Sequence, residues 1–159
     1  MTKLEFGYKC KDIITGMEGI LKTRAIFITG CDRIELSVTD GECKWCDIPT
    51  IKVLDEGVSK DLQETGQCNM YDDINEALYE FGVLAKDIIT GYEGKIVAKS
   101  IGISGDISYG LSPEYKRDVR DNEAVWFDEG RIEVIDVKKD EININTKRTG
   151  GAVPNLRCR

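Results

Sequence analysis

Alternating apolar and polar residues dominate two stretches of the chain and predict short β-strands in both. Leu21, Thr23 and Ala25 are apolar or small, with Lys22 and Arg24 between them, and Ile96, Ala98 and Ser100 with Val97 and Lys99 repeat the arrangement further on. A period of two sends successive side chains to opposite faces of a strand, so Arg24 and Lys99 are expected on an outer face. The phase shifts at Ile26 and Ile28, and again at Ile101 and Ile103, which predicts a bulge or a sharp bend. Ile34 and Leu36, matched by Tyr109 and Leu111, predict another strand, and Ile51 and Val53, matched by Ile132 and Val134, a further one.

These matched positions belong to an internal duplication. Residues 6–37 align with residues 81–112 at an offset of 75, with 15 identities in 32 positions and no gap. The match resumes at an offset of 81, where Trp45, Cys46 and Asp47 meet Trp126, Phe127 and Asp128, so the second copy carries six extra residues around PEYKRDVRDNEA. Each copy opens on a turn with glycines at matched positions, Gly16 and Gly19 in one and Gly91 and Gly94 in the other. Such glycines supply positive φ or close backbone approach.

Four or five short strands in each copy predict a mainly β fold, with two tandem SH3-like small β-barrel units and a short linking helix. One larger sheet shared by both copies is the alternative. The expected division is a first barrel-like repeat over 1–56, a linker over 57–80, a second repeat over 81–138 and a polar, locally basic tail over 139–159. Within the linker, DDINEALYEF predicts a helix capped by Asp72 or Asp73, with Ile74, Ala77, Leu78 and Phe81 on one face.

Charge and composition narrow the function. A net charge of −7 and an isoelectric point near 4.8 disfavour a nucleic-acid partner, though not a small anionic ligand in a local basic pocket. No apolar run reaches membrane-spanning length and the N-terminus lacks a signal-peptide core, so a cytoplasmic location with reduced cysteines is expected. The chain has no histidine, which removes the commonest general base and metal ligand, and it carries none of the common nucleophile, phosphate-loop or zinc-protease motifs. No enzyme activity, cofactor or metal is expected. Cys43 and Cys46 have the spacing of half a zinc knuckle or of a thiol redox pair, but their counterparts are Ala124 and Phe127 and the nearby Cys10 and Cys31 are unmatched as well. Buried or half-buried free thiols are the expected reading.

The candidate site is aromatic and cationic. Trp45 and Trp126 read first as tryptophans closing the edge of a core, and alternatively as platforms for a planar ligand. Tyr92 and Tyr109 extend the platform in the second copy, and Phe127, Asp128 and Arg131 adjoin it. Arg24 and Lys99 offer cations beside these aromatics for a phosphate or carboxylate. The outer-face positions Leu54 and Ile135 are candidates for a seam between copies or between chains.

The patterns KDxxTGxxGI and RAxxxTGC in the first copy, and WFDEGRIEVID in the second, resemble the front and back of one unit found in small, uncharacterised proteins of tailed bacteriophages and prophages. A tail containing Thr149, Gly150 and Gly151 is similar to the tails of those proteins. The front is best kept in the first copy and the back in the second, which directs attention to a site using both. The resemblance carries no activity with it. It implies a phage accessory protein in the host cytoplasm, binding a nucleotide-like or other small anionic ligand such as an immune signal. A structural or adaptor role, docking a virion or host protein, is the alternative, and a homo-oligomer is compatible with either.

Overall fold

The computed structural model describes residues 3–38, 41–56, 70–114 and 123–136, and the fold is mainly β. The expected tail, the polar part of the linker and most of the six-residue insertion lie outside the described residues. Among the described residues, no helix is long and apolar enough to cross a membrane.

The elements recur in order. Strands β1 (Lys9–Asp12), β2 (Glu18–Phe27), β3 (Asp32–Ser37) and β4 (Cys43–Asp47) precede a 3-10 turn at Ile48–Thr50 and β5 (Ile51–Asp55). After a short helix α1 (Asp72–Asn75) come β6 (Leu84–Asp87), β7 (Glu93–Gly102), β8 (Ile107–Ser112), β9 (Val125–Asp128), a 3-10 turn at Glu129–Arg131 and β10 (Ile132–Asp136). The first three strands of each set start 75 residues apart, and the 3-10 turns and last strands 81 apart, as the alignment requires.

Two compact units emerge from this chain. In unit 1 the ladder order is β4-β3-β2-β1-β5, with Ile34 opposite Cys46 and Cys10 opposite both Gly19 and Val53. In unit 2 it is β9-β8-β7-β6-β10, with Tyr109 opposite Phe127 and Ala85 opposite both Gly94 and Val134. Among the described residues the first and last strands of these orders are not paired, so the ladders are open rather than closed as the expected barrels would be.

Neither unit is built from one copy alone. Residues 100–106 belong to unit 1, where the Ile103 N–H donates to the Lys22 carbonyl at 2.7 Å. Residues 27–30 belong to unit 2, where the Ile28 N–H donates to the Val97 carbonyl at 2.8 Å. Repeat-equivalent atoms make these two bonds.

The core follows the alternation, with one displacement. Tyr8, Cys10, Leu21, Ile34, Leu36 and Cys46 are buried in unit 1, and Val83, Ala85, Ile96, Tyr109, Leu111 and Phe127 occupy the matching positions of the unit 2 core. The β2–β3 register shifts between Leu21 and Thr23, several residues before the expected bend. This inserts a residue and turns Arg24 and Ala25 inward. Arg24 is therefore buried, and its repeat equivalent Lys99 is buried as well, contrary to the outward placement that strict alternation predicts.

The helix is shorter than its sequence suggests. Tyr71, not Asp72 or Asp73, is the N-cap, no side chain caps it, and the helix ends where the Glu76 N–H meets the Asp72 and Asp73 carbonyls. Ile74 is fully buried but Leu78 is exposed, so the expected apolar face stops after one turn. A single turn gains little from propensity and is held by what its one apolar residue buries.

The second glycine of each opening turn is dictated by packing. A Cβ at Gly19 would lie 2.8 Å from the Ser37 carbonyl oxygen, and one at Gly94 would lie 2.5 Å from that of Ser112. Both contacts are with backbone, which cannot swing away. Gly94→Ala is accordingly expected to lose about 1–3 kcal/mol in chemical denaturation. Gly130→Ala, where an added methyl meets nothing within 4 Å, is the control and should stay within about 0.5 kcal/mol.

Candidate functional site

The β1–β2 turn of unit 1 is organised by one carboxylate. Asp12 accepts hydrogen bonds from the Thr15 hydroxyl at 2.6 Å, from the Thr15 N–H at 3.3 Å and from the Ile14 N–H at 3.3 Å. Its own backbone closes the loop, with its N–H donating to the Met17 carbonyl at 2.9 Å and its carbonyl accepting from the Gly16 N–H at 2.8 Å. Gly16 takes φ +74°, a conformation that the turn needs and that favours glycine. The Thr15 hydroxyl first, then that of Thr50, hold the Asp12 carboxyl down to about 2.

Unit 2 builds the same turn with a stronger anchor. Asp87 is fully buried and accepts from the Thr90 hydroxyl at 2.5 Å and the Thr90 N–H at 2.8 Å. Arg131 holds both carboxylate oxygens, Nε to Oδ1 and Nη2 to Oδ2, each at 2.8 Å. That bidentate pair, followed by Thr90, keeps the Asp87 carboxyl well below the usual carboxylate range. Arg131 stands where the first copy has Thr50, so the back motif of the second copy is explained by its grip on the front turn.

Each locked turn presents two isoleucines to solvent. Ile13 and Ile14 are 59% and 75% exposed, and Ile88 and Ile89 are 57% and 71% exposed. The Ile13 N–H donates to the Thr50 carbonyl, and the Ile88 N–H to the Arg131 carbonyl, each at 2.9 Å, so backbone bonds on both sides fix the pair. Leu54 and Ile135, also repeat-equivalent, are exposed on the last strands. Of the seven large apolar residues exposed among the described residues, six thus fall into three matched pairs, and Leu78 is the remaining one. Scattered surface apolars are ordinary, whereas these recur at equivalent positions of the two copies, two of the pairs on hydrogen-bonded turns.

The aromatic and cationic residues singled out from the sequence are used largely inside the fold. Arg24 donates to both oxygens of Asp32, at 2.9 and 2.5 Å, and to the Met70 carbonyl at 2.9 Å, and its guanidinium lies 4.5 Å from the centre of the Tyr71 ring. Asp128 accepts from the Ser108 hydroxyl at 3.2 Å, the cross-strand counterpart of the 2.8 Å pair between Arg33 and Asp47. Tyr109 is sealed in the core, its hydroxyl donating to Glu129 at 2.6 Å and accepting from the Tyr79 N–H at 3.2 Å. Burial, and then Glu129, push its phenol up.

Unit 2 brings three of the remaining residues together. Tyr92 and Phe127 pack with ring centres 5.4 Å apart, and the Arg131 guanidinium lies 5.4 Å from the Phe127 centre. Trp126 follows Phe127 on β9 and meets Phe27 edge-on at 6.3 Å. Its indole nitrogen is the one buried side-chain polar atom without a hydrogen-bond partner among the described residues. Trp45 is half-buried across β3 from Glu35. The cations meet Tyr71 and Phe81 rather than the tryptophans with which the sequence groups them.

Cys43 is exposed and Cys46 buried, on the same strand three residues apart, so their sulfurs face opposite sides of the ladder. Burial also raises the Cys46 thiol, and Cys10 is pushed up to about 11. Among the described residues no cluster of three or more metal-ligating side chains occurs. Cys68 and Cys158 lie outside the described residues.

The residues that sequence reasoning passed over are Asp12 and Asp87, the four isoleucines beside them, and Glu129. The first six sit in the identical DIITG runs, so agreement between the copies was the available signal. No family model, curated protein or solved structure matches the chain.

The two lowered carboxylates predict an acid limb of stability. A carboxylate whose proton affinity is lower folded than unfolded stabilises the fold above the unfolded value, near 3.9, and that stabilisation is lost as pH falls through the folded value. For Asp12 the loss is expected between about pH 4 and about 2. Denaturant midpoints measured from pH 6 to pH 2 should fall steeply in the wild type. Asp12→Asn should be less stable at neutral pH and show a shallower acid limb.

Proposed function

We propose that the chain is a non-enzymatic docking protein whose two repeats each present an apolar, preorganised hairpin tip to a protein partner. The observation that carries this reading is the matched exposure of Ile13 and Ile14 with Ile88 and Ile89. Outside the turn the copies have diverged at most aligned positions, yet these four residues, which bury little in their own unit, are identical. Asp, Thr and Gly in the same run are explained by the turn itself; the isoleucines are explained by contact with something else.

The ladder order β4-β3-β2-β1-β5, with a 3-10 turn leading into the last strand, supports reading each repeat as an SH3-like unit. In that reading the isoleucines lie on the long first hairpin, beside a strand end, and enter an apolar groove on the partner. One tip is too small for a stable interface, which typically takes about 800 Å² from each side. Two equivalent tips on one chain gain by effective concentration and suit a partner that repeats its own surface, such as a virion or host oligomer. With the sequence resemblance, this makes the chain a phage adaptor acting in the cytoplasm of the infected cell.

Sequestration of a nucleotide-derived signal is the second reading. It is supported by the Tyr92–Phe127 aromatic pair and the unpartnered indole N–H of Trp126 in unit 2. It stands second because Arg24, one of the two cations expected to hold a phosphate, and the adjoining Arg131 are each spent on a carboxylate of the chain, which leaves Lys99 alone of the expected pair.

Affinity capture from infected cells separates the two. Wild-type protein is expected to recover a stoichiometric protein partner, Ile14→Ser or Ile89→Ser alone to weaken its capture, and the double variant to lose it. All three should keep wild-type stability to within about 0.5 kcal/mol, since these side chains are exposed. Capture unaffected by the double variant, or mass spectrometry recovering a nucleotide and no protein partner, would overturn the docking reading.

A further inference from the structure

The two units treat one equivalent cation differently. In unit 1 the buried Arg24 is neutralised by Asp32, one of whose oxygens lies 2.5 Å from Nη2. The position equivalent to Arg24 in unit 2 is Lys99, and that equivalent to Asp32 is Ile107. Lys99 is only 8% exposed, as Arg24 is, yet among the described residues no carboxylate lies within 4 Å of its ammonium. Its Nζ lies 5.0 Å from the centre of the Phe81 ring. The nearby Glu129 carboxylate is taken by the Tyr109 hydroxyl and acts on Lys99 only at longer range.

A largely buried lysine whose ammonium has no carboxylate within reach among the described residues keeps its charge with little compensation beyond water and the Phe81 ring. Burial accordingly lowers the proton affinity of Lys99, against the opposing pull of Glu129. The group is not sealed, because the one side-chain nitrogen or oxygen both buried and unpartnered among the described residues is Trp126 Nε1. An anion reaching Lys99 would restore the neutralisation that Asp32 gives Arg24.

We propose that Lys99 marks an anion site in unit 2, taking from solution a singly charged carboxylate as the counter-ion that Asp32 supplies within unit 1. The Phe81 ring beside Nζ favours a ligand with an apolar body behind the charged group. Glu129 selects against a doubly charged ligand, because its negative charge already acts on Lys99. This inference does not rest on the docking reading, whose residues are elsewhere in the fold.

The test is titration of the full chain with sodium acetate against sodium chloride at equal ionic strength, following the Lys99 side-chain NMR signals and the melting temperature. Acetate is expected to shift the Lys99 signals saturably and raise the melting temperature, with chloride doing neither. Lys99→Met should weaken the acetate response at least about tenfold, the loss of one charge-assisted hydrogen bond. Ile107→Asp should also suppress it, by supplying the carboxylate from the chain. Inorganic phosphate at pH 8, mostly doubly charged, should bind more weakly than acetate. A Lys99 signal that acetate leaves unmoved, or an equal acetate response in Lys99→Met, would overturn the proposal.

Discussion

A hairpin tip that projects beyond its ladder leaves backbone N–H groups without strand partners, and in this protein one aspartate per repeat accepts them. Asp12 and Asp87 sit at the last residue of a first strand, paired with the start of the last strand, and reach forward to the threonine three residues on. Each therefore fixes the turn, its alignment with the 3-10 turn, and the direction in which the two isoleucines leave the surface. Replacing the carboxylate by an apolar group would take from the part-buried amides of Ile14, Thr15 and Thr90 the acceptor that sets the geometry of the tip.

The repeats show how much sequence a shared framework tolerates. Cys10 and Ala85 fill equivalent core positions, as do Ile34 and Tyr109, and Cys46 and Phe127. Ile34 faces Cys46 across one ladder and Tyr109 faces Phe127 across the other, so unit 2 places two aromatics where unit 1 places an isoleucine and a thiol. The large hydroxyl-bearing ring then requires an acceptor, which Glu129 provides where unit 1 has Ile48. The cysteines read from the sequence as a possible ligand pair are in this light one filler of a core gap and one surface thiol.

Much of the fold was legible because its constraints are local. The glycines of the opening turns, the alternation in β3 and β5, and the equivalence of the copies follow from neighbours along the chain. What was not legible depends on residues distant in sequence. Arg24 is inside because Asp32, Met70 and Tyr71 converge on it, and an alternating pattern has no term for a buried cation with a ready-made partner. The exposure of Ile13 and Ile14 follows from the path of the turn, which hydropathy along the chain does not describe. The helix ends at Asn75, before Leu78, which is apolar in sequence but exposed in the fold.

The exchanged segments at 27–30 and 100–106 have a consequence for synthesis. Unit 1 is incomplete until residue 106 has been translated, although its other strands have ended by residue 55. Until then the Lys22 carbonyl lacks the Ile103 N–H that it accepts from in the finished unit. Cutting the gene between its copies would give two fragments, each carrying four residues or more that only the other can use.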